Sequence, residues 1–129
     1  MTRHTTLPGL LVSVMSAVCL WACSPQYPTV VRIKLTTVPP GGTVDRLGEP
    51  VRENHTVRFF WVVESQLAPV RYLEWVVGGL TREGFAIQQR QRLALVLTTF
   101  DGGDSYRLNL EVSGEAPTRV RVQLAVSPD

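Results

Sequence analysis

Cysteine and histidine are scarce in this chain. The two cysteines, Cys19 and Cys23, both lie near the amino terminus, so no disulfide can link segments within residues 24–129. Histidine occurs only at His4 and His55, whereas metal sites and catalytic triads need several convergent imidazole, thiolate or carboxylate groups. We therefore expect a protein that is not an enzyme and that holds no resident metal.

A strong excess of charge of one sign is also missing. Lys and Arg total 13 against 11 Asp and Glu, which gives a formal net charge of +2. Proteins that bind nucleic acid carry a clear basic excess, often concentrated in a patch. The near balance here predicts no nucleic-acid partner.

The third absence is a transmembrane-length apolar run. Arg3 and His4 precede an apolar stretch over residues 10–22, which is shorter than the roughly 18 to 20 residues that span a bilayer as a helix. A short basic region followed by a short apolar region is typical of an export signal. An uncleaved membrane anchor and a simple secretory signal are the alternatives.

The segment Leu20-Trp21-Ala22-Cys23 closes this stretch and resembles the lipobox of bacterial lipoproteins. The resemblance implies that a signal peptidase cuts before Cys23 and that this cysteine carries the covalent lipid, with no other cofactor. Ser24 follows the cysteine, where an Asp retains some lipoproteins at the inner membrane. We therefore expect a lipid anchor in the cell envelope, at the outer membrane or cell surface rather than the inner membrane.

The predicted organisation has three parts: a signal peptide over 1–22, a lipidated tether over 23–28 and one domain over 29–129. Cleavage leaves roughly 100 residues, which suits a single domain. The proline-containing tether reaches at most about 17 Å when extended. The domain is therefore expected to work close to the membrane.

The domain region reads as a series of β-strands. Apolar residues alternate with polar ones, a period typical of half-buried strands, over residues 29–38, 56–64, 70–77, 105–113 and 118–126. Residues 114–117 join the last two segments as a hairpin. Residues 85–99 are interpreted as two strands bent near Arg90, with a helix as the alternative, and residues 39–55 as an irregular stretch.

Seven short strands in about 100 residues favour an all-β fold, a seven-stranded two-sheet sandwich. Three segments, Val57–Trp61, Tyr72–Trp75 and Gly103–Val112, resemble strands B, C and F of PKD and related immunoglobulin-like domains. The resemblance covers roughly residues 56–126 and implies an immunoglobulin-like topology.

An outward apolar strip is predicted from the same alternation. If Phe59 and Trp61 point into the core, then Phe60 and Val62 point outward, and Ala94 and Val96 do the same on what that topology makes a neighbouring strand. Contiguous exposed apolar surface often marks a partner site. The alternative is that the 39–55 stretch covers the strip.

The function predicted from these features is that of a membrane-anchored lipoprotein with an immunoglobulin-like binding or assembly module, non-catalytic, holding another envelope protein. The alternative is a small-ligand domain that binds carbohydrate or Ca²⁺ through its distal loops. Weak Ca²⁺ candidates are Asp101 and Asp104 with Asp45 from an opposed loop. The alternative for Asp101–Asp104 is a plain glycine-rich turn.

Overall fold

The computed structural model describes residues 28–114 and 117–128. These residues are mostly β, as the sequence predicts, with two short helices and seven strands. In chain order the elements are α1 Pro28–Thr36, β1 Thr43–Arg46, β2 Val51–Glu53, β3 Thr56–Ser65, α2 Pro69–Arg82, β4 Ala86–Gln91, β5 Ala94–Asp101, β6 Asp104–Val112 and β7 Thr118–Pro128. The compact unit that carries every strand begins at Ile33, and residues 28–32 belong to a separate unit.

All seven strands lie in a single antiparallel sheet in the order β1-β3-β7-β6-β5-β4, with β2 also paired to β3. The all-β part of the prediction is thus shown, whereas the second sheet of the predicted immunoglobulin-like sandwich is not seen among these residues. Two segments that the sandwich needs as strands, 29–38 and 70–77, form helices instead.

The two faces of the sheet differ in burial. One face, here called the covered face, presents a nearly continuous set of apolar side chains from the four long strands. They are Val57, Trp61, Val63, Leu95, Leu97, Tyr106, Leu108, Leu110, Val112, Val120, Val122, Leu124 and Val126, each at most 7 % exposed. The opposite face, here called the outer face, carries the alternate residues, among them Phe60 and Arg121.

Helix α2 replaces the predicted strand at 70–77. Pro69 occupies the first helical turn, where its fixed φ and missing N–H are tolerated. The side chains that α2 buries, Tyr72, Leu73, Val76 and Leu80, recur at helical rather than alternating spacing. The apolar residues of this segment fit both the two-residue period of a strand and the 3.6-residue period of a helix. The segment forms a helix because its apolar side then covers the sheet.

Gly78 and Gly79 lie inside α2, although a glycine pair usually interrupts a helix. A Cβ on Gly79 would stand 3.1 Å from the Cγ2 atom of Thr36, which is closer than ordinary van der Waals contact. Gly79 therefore allows the end of α1 to approach α2 closely. The Gly78-Gly79 pair therefore does not mark a turn, and Gly79 serves the packing of the two helices.

Helix α1 replaces the predicted strand at 29–38. The strand interpretation placed Val31, Ile33 and Leu35 on one buried face, but Val31 and Leu35 are exposed while Ile33 is buried. Ile33 and Thr37 are four residues apart and both buried, which is the spacing of one helix face. The β-branched residues of this segment favour a strand locally, and tertiary packing overrides that preference.

Thr37 follows α1 and is the centre of a buried hydrogen-bond network. Its hydroxyl donates to the Lys34 carbonyl over 2.6 Å and accepts from the indole N–H of Trp61 over 3.0 Å. Its carbonyl accepts from the Tyr72 hydroxyl over 2.6 Å. Burial raises the pKa of that hydroxyl, so the bond keeps its donor proton far into the alkaline range. The network joins both helices to the covered face of β3.

The loop from β3 to α2 is held by two buried polar residues that face each other in register, Ser65 and Thr118. The Ser65 hydroxyl accepts from the Leu67 N–H over 3.0 Å, and the Thr118 hydroxyl donates to the Leu67 carbonyl over 2.6 Å. Both backbone groups of Leu67 are thereby satisfied, and the chain is directed into α2.

The hairpins agree with the sequence interpretation. Residues 85–99 contain two strands, β4 and the first part of β5, so the helix alternative is wrong. Strands β6 and β7 pair in register from Val112 opposite Val120 to Asp104 opposite Pro128. The stretch 39–55, expected to be irregular, contains the edge strands β1 and β2.

Candidate functional site

The four residues of the predicted apolar strip share the outer face but are not contiguous. Phe60 and Val62 lie on β3, whereas Ala94 and Val96 lie on β5. The sheet order inserts β7 and β6 between them, so the two apolar pairs are three strand spacings, about 14 Å, apart. The expectation that these strands are neighbours is corrected by this order.

Four polar side chains fill the gap between the two apolar pairs. Asn109 faces Gln123 and Glu111 faces Arg121 across the β6–β7 register. The same register continues outward, with Gln123 opposite Phe60 and Asn109 opposite Val96. We call Asn109, Glu111, Arg121 and Gln123 the polar quartet.

A groove runs over the polar quartet on the β3 side. Two adjoining depressions of about 530 and 160 Å³ form it, and both are lined by Leu47, Glu111 and Arg121. Val62 lines the larger depression, and Phe60 lines the smaller one together with the two amide residues of the quartet. The groove therefore has a polar floor and an apolar wall.

The apolar wall is built by a break in the edge strand. Leu47 donates its backbone N–H to the Phe60 carbonyl over 3.2 Å, after which residues 48–50 bulge out before β2 resumes pairing. Gly48 has a φ of 73°, a conformation that favours glycine. Val62 is only 6 % exposed although it lies on the outer face. Leu47, from the 39–55 stretch, lines the same depression as Val62.

Asn109 gives the floor its most distinctive feature. Its Oδ1 atom is buried and has no hydrogen-bond partner among the described residues. A buried acceptor without a donor costs about 1 to 3 kcal/mol of stability, and such atoms are rare in folded proteins. Asn109 also lines the smaller depression, so a side chain with an unsatisfied acceptor lies at the floor of the groove.

The charges beside the groove are balanced and accessible. Arg119 lies 3.7 Å from Glu64, and both side chains are substantially exposed. Exposed pairs of this kind contribute little to stability. Glu111 and Arg121 face each other in register and are also exposed. The larger depression is thus lined by two basic groups, Arg119 and Arg121, each with one acidic neighbour, Glu64 and Glu111 respectively.

The weak Ca²⁺ candidates are not brought together. Asp101 and Asp104 face each other across a two-residue turn, but Asp45 lies on β1, beyond β3 and β7 from the strand of Asp104. Within residues 28–114 and 117–128, no group of three or more metal-type side chains is found. The turn interpretation of Asp101–Asp104 fits this geometry.

The predicted lipidation residue, Cys23, and the signal segment 1–22 lie outside the described residues. Among the helices that are described, none is both long and apolar enough to span a bilayer.

Sequence reasoning missed most of the groove. Glu111 and Arg121 occupy polar positions of the two alternating segments 105–113 and 118–126, but no motif in the sequence marks Leu47, Asn109 or Gln123 as site residues. The available signal was the position of Asn109 and Gln123, amide residues at the middle of two strands joined by a predicted hairpin. Pairing those strands in register places the two amides opposite each other.

No known protein family, curated protein or solved structure matches this chain.

Proposed function

We propose that this protein is a lipid-anchored, non-catalytic binding protein of a bacterial cell envelope that holds another envelope protein against the outer face of its sheet. The anchor rests on the Leu20–Cys23 segment and the apolar run before it. Binding rests on one observation above the others: the outer-face groove contains the buried, unpartnered Oδ1 atom of Asn109.

The outer face suits a binding role because the covered face is already occupied. Buried side chains of α2 and the Thr37 network occupy the covered face. The outer face instead combines half-buried apolar side chains such as Phe60 with the polar quartet. Partner surfaces commonly mix apolar anchors with a few placed polar groups in this way.

The anchor is tested by metabolic labelling of cells with an alkyne analogue of palmitate, followed by mass spectrometry of the purified chain. We expect label on the wild-type chain and cleavage before Cys23. Cys23→Ala should lose both, whereas the matched control Cys19→Ala should keep both. An unmodified thiol at Cys23, or an intact leader, contradicts the anchor.

The partner is tested by placing a photocrosslinking amino acid at Phe60 in intact cells. Val70 is the matched control because it is exposed and apolar but lies on α2 rather than on the outer face. We expect one defined envelope protein to be trapped from position 60 and not from position 70. Equal products from both positions contradict a partner site on the outer face.

A further inference from the structure

The polar quartet is spaced like an extended peptide. Asn109 and Glu111 are two residues apart on β6, which corresponds to about 6.8 Å along a strand. An extended peptide turns equivalent N–H and C=O groups to the same side at this same interval. A peptide that lies along β6 and β7 therefore meets the two rows of the quartet at every second residue.

Each row of the quartet supplies both a donor and an acceptor. Asn109 and Gln123 carry carboxamides, which contain one acceptor oxygen and two donor hydrogens each. In the second row Glu111 accepts and Arg121 donates. A peptide unit needs the same pair of functions, an acceptor for its N–H and a donor for its C=O.

Apolar residues flank the polar quartet on both sides. Phe60 and Val62 on β3 line the groove, and Ala94 and Val96 lie on β5 beyond its lining residues. When an extended peptide turns its backbone groups toward the quartet, its side chains extend sideways toward these two flanks.

Other ligand classes fit this groove less well. A simple anion would meet Glu111 beside Arg121, and a simple cation would meet Arg119 and Arg121 in the larger depression. A sugar ring is usually held by an exposed aromatic face, whereas Phe60 is half-buried in the wall beside Leu47. A neutral chain of amides matches the balanced charge.

We propose that the outer-face groove binds an extended segment of a partner protein by its backbone, with Asn109 and Gln123 pairing one peptide unit and Glu111 and Arg121 the next. This inference rests on the proposed function and specifies the form in which the partner is held. In the complex the Asn109 carboxamide turns toward the peptide, and its Oδ1 atom, buried without a partner in the free chain, accepts a peptide N–H.

The test uses the purified full chain and a phage-displayed library of random dodecapeptides as the probe. We expect enrichment of peptides with apolar residues at alternate positions. Synthetic copies should bind Asn109→Leu and Gln123→Leu at least about tenfold more weakly, as expected for one lost hydrogen-bonded contact. The control Arg107→Gln, on the same face beyond the quartet, should bind as the wild type does.

Folding and backbone recognition are checked separately. Asn109→Leu removes an unsatisfied buried acceptor, so its Tm should equal or exceed that of the wild type while peptide binding falls. Methylation of the peptide nitrogen that faces position 109 should weaken binding by about tenfold, and methylation one residue along should not.

Several outcomes overturn the inference: no enriched peptide, peptides that bind Asn109→Leu as well as wild type, or specific binding of N-acetylglucosamine oligomers to the groove instead. A crosslinked envelope protein at position 60 without any peptide binding would leave the proposed function standing and show that the partner presents a folded surface. If neither a crosslinked envelope protein nor peptide binding is found, both proposals are contradicted.

Discussion

The indole N–H of Trp61 and the hydroxyl of Thr37 form a buried hydrogen bond of 3.0 Å that joins β3 to the residue after α1. Thr37 is fully buried, and no water is needed to complete its bonding, because the same hydroxyl donates to the Lys34 carbonyl. A single side chain thus satisfies two groups that belong to different elements.

Replacing Thr37 by Val should destabilise the fold by about 1 to 3 kcal/mol, because the Trp61 N–H loses its acceptor while it stays buried. Urea unfolding monitored by Trp fluorescence measures this change. Thr81→Val is the control, since the Thr81 hydroxyl is exposed and bonds only within its own helix. A smaller loss for Thr37→Val than for Thr81→Val would contradict the role of Thr37.

Tyr72 should make stability depend on pH above its ordinary pKa of 10.0. Burial raises the pKa of Tyr72 in the folded state, so the unfolded chain releases the proton first as the pH rises. Stability from this group is complete below pH 10.0 and decreases above it, by about 1.4 kcal/mol per pH unit. Tyr72→Phe removes the dependence.

The pH effect is measured as the difference in unfolding free energy between wild type and Tyr72→Phe, from urea titrations between about pH 8 and 11.5. The difference should be constant at the lower end and shrink at the upper end. A difference that does not change with pH would contradict a buried, bonded Tyr72 hydroxyl.

Gly78→Ala and Gly79→Ala should differ in stability although both lie in α2. A Cβ at Gly78 would meet only the Arg82 side chain at 3.7 Å, so the better helix propensity of Ala should stabilise by about 0.5 to 1 kcal/mol. At Gly79 the contact with Thr36 at 3.1 Å opposes that gain. Thermal unfolding of both variants checks the order.

A second substitution should relieve the close contact that Gly79→Ala introduces. The double variant Gly79→Ala with Thr36→Ser removes the Cγ2 atom that the new methyl group would touch. It should be more stable than Gly79→Ala alone. Equal stability of the two would show that the close approach of α1 and α2 does not depend on this atom.

The turn between β5 and β6 should tolerate Asn better than Ala. Gly102 and Gly103 have φ values of 61° and 87° and connect the facing residues Asp101 and Asp104, as in a type I′ hairpin turn. Gly102→Ala should cost about 1 to 2 kcal/mol, whereas Gly102→Asn should cost clearly less. Thermal unfolding that ranks the Ala variant equal to wild type would contradict the turn assignment.

The strands with one buried face were predictable from sequence. Residues 105–113 and 118–126 alternate strictly, because a period of two places every apolar residue on the covered face. The structure confirms them as β6 and β7. The break in 85–99 was also predictable, since a strand pair requires a turn between its two alternating halves.

The helices were not predictable from the same rule. Around Val76, apolar residues occupy positions that fit a strand and a helix equally well, and short segments of this kind are decided by tertiary packing. Ile33 shows the same ambiguity in α1. The hydrogen bonds of Tyr72 and Trp61 with Thr37 that accompany the helical choice join residues far apart in sequence and leave no local signal.

The candidate site was only half predictable. The outward direction of Phe60 and Val96 followed from alternation, but their distance depends on strand order, which is a long-range property. Leu47 lines the groove just before residues 48–50 leave the edge of the sheet. The glycine that follows it, Gly48, indicates a turn but does not indicate the direction of the Leu47 side chain. The polar quartet becomes visible only when β6 and β7 are placed between β3 and β5.

Strand β7 has a further consequence for how the chain reaches its native state. It follows every other strand in chain order yet pairs with β3 on one side and β6 on the other. Before residues 118–128 emerge from the ribosome, the first three strands and the next three have no strand between them to unite them. The two halves of the sheet therefore join only after β7 has been made, and this strand completes the hydrogen bonding of both its neighbours.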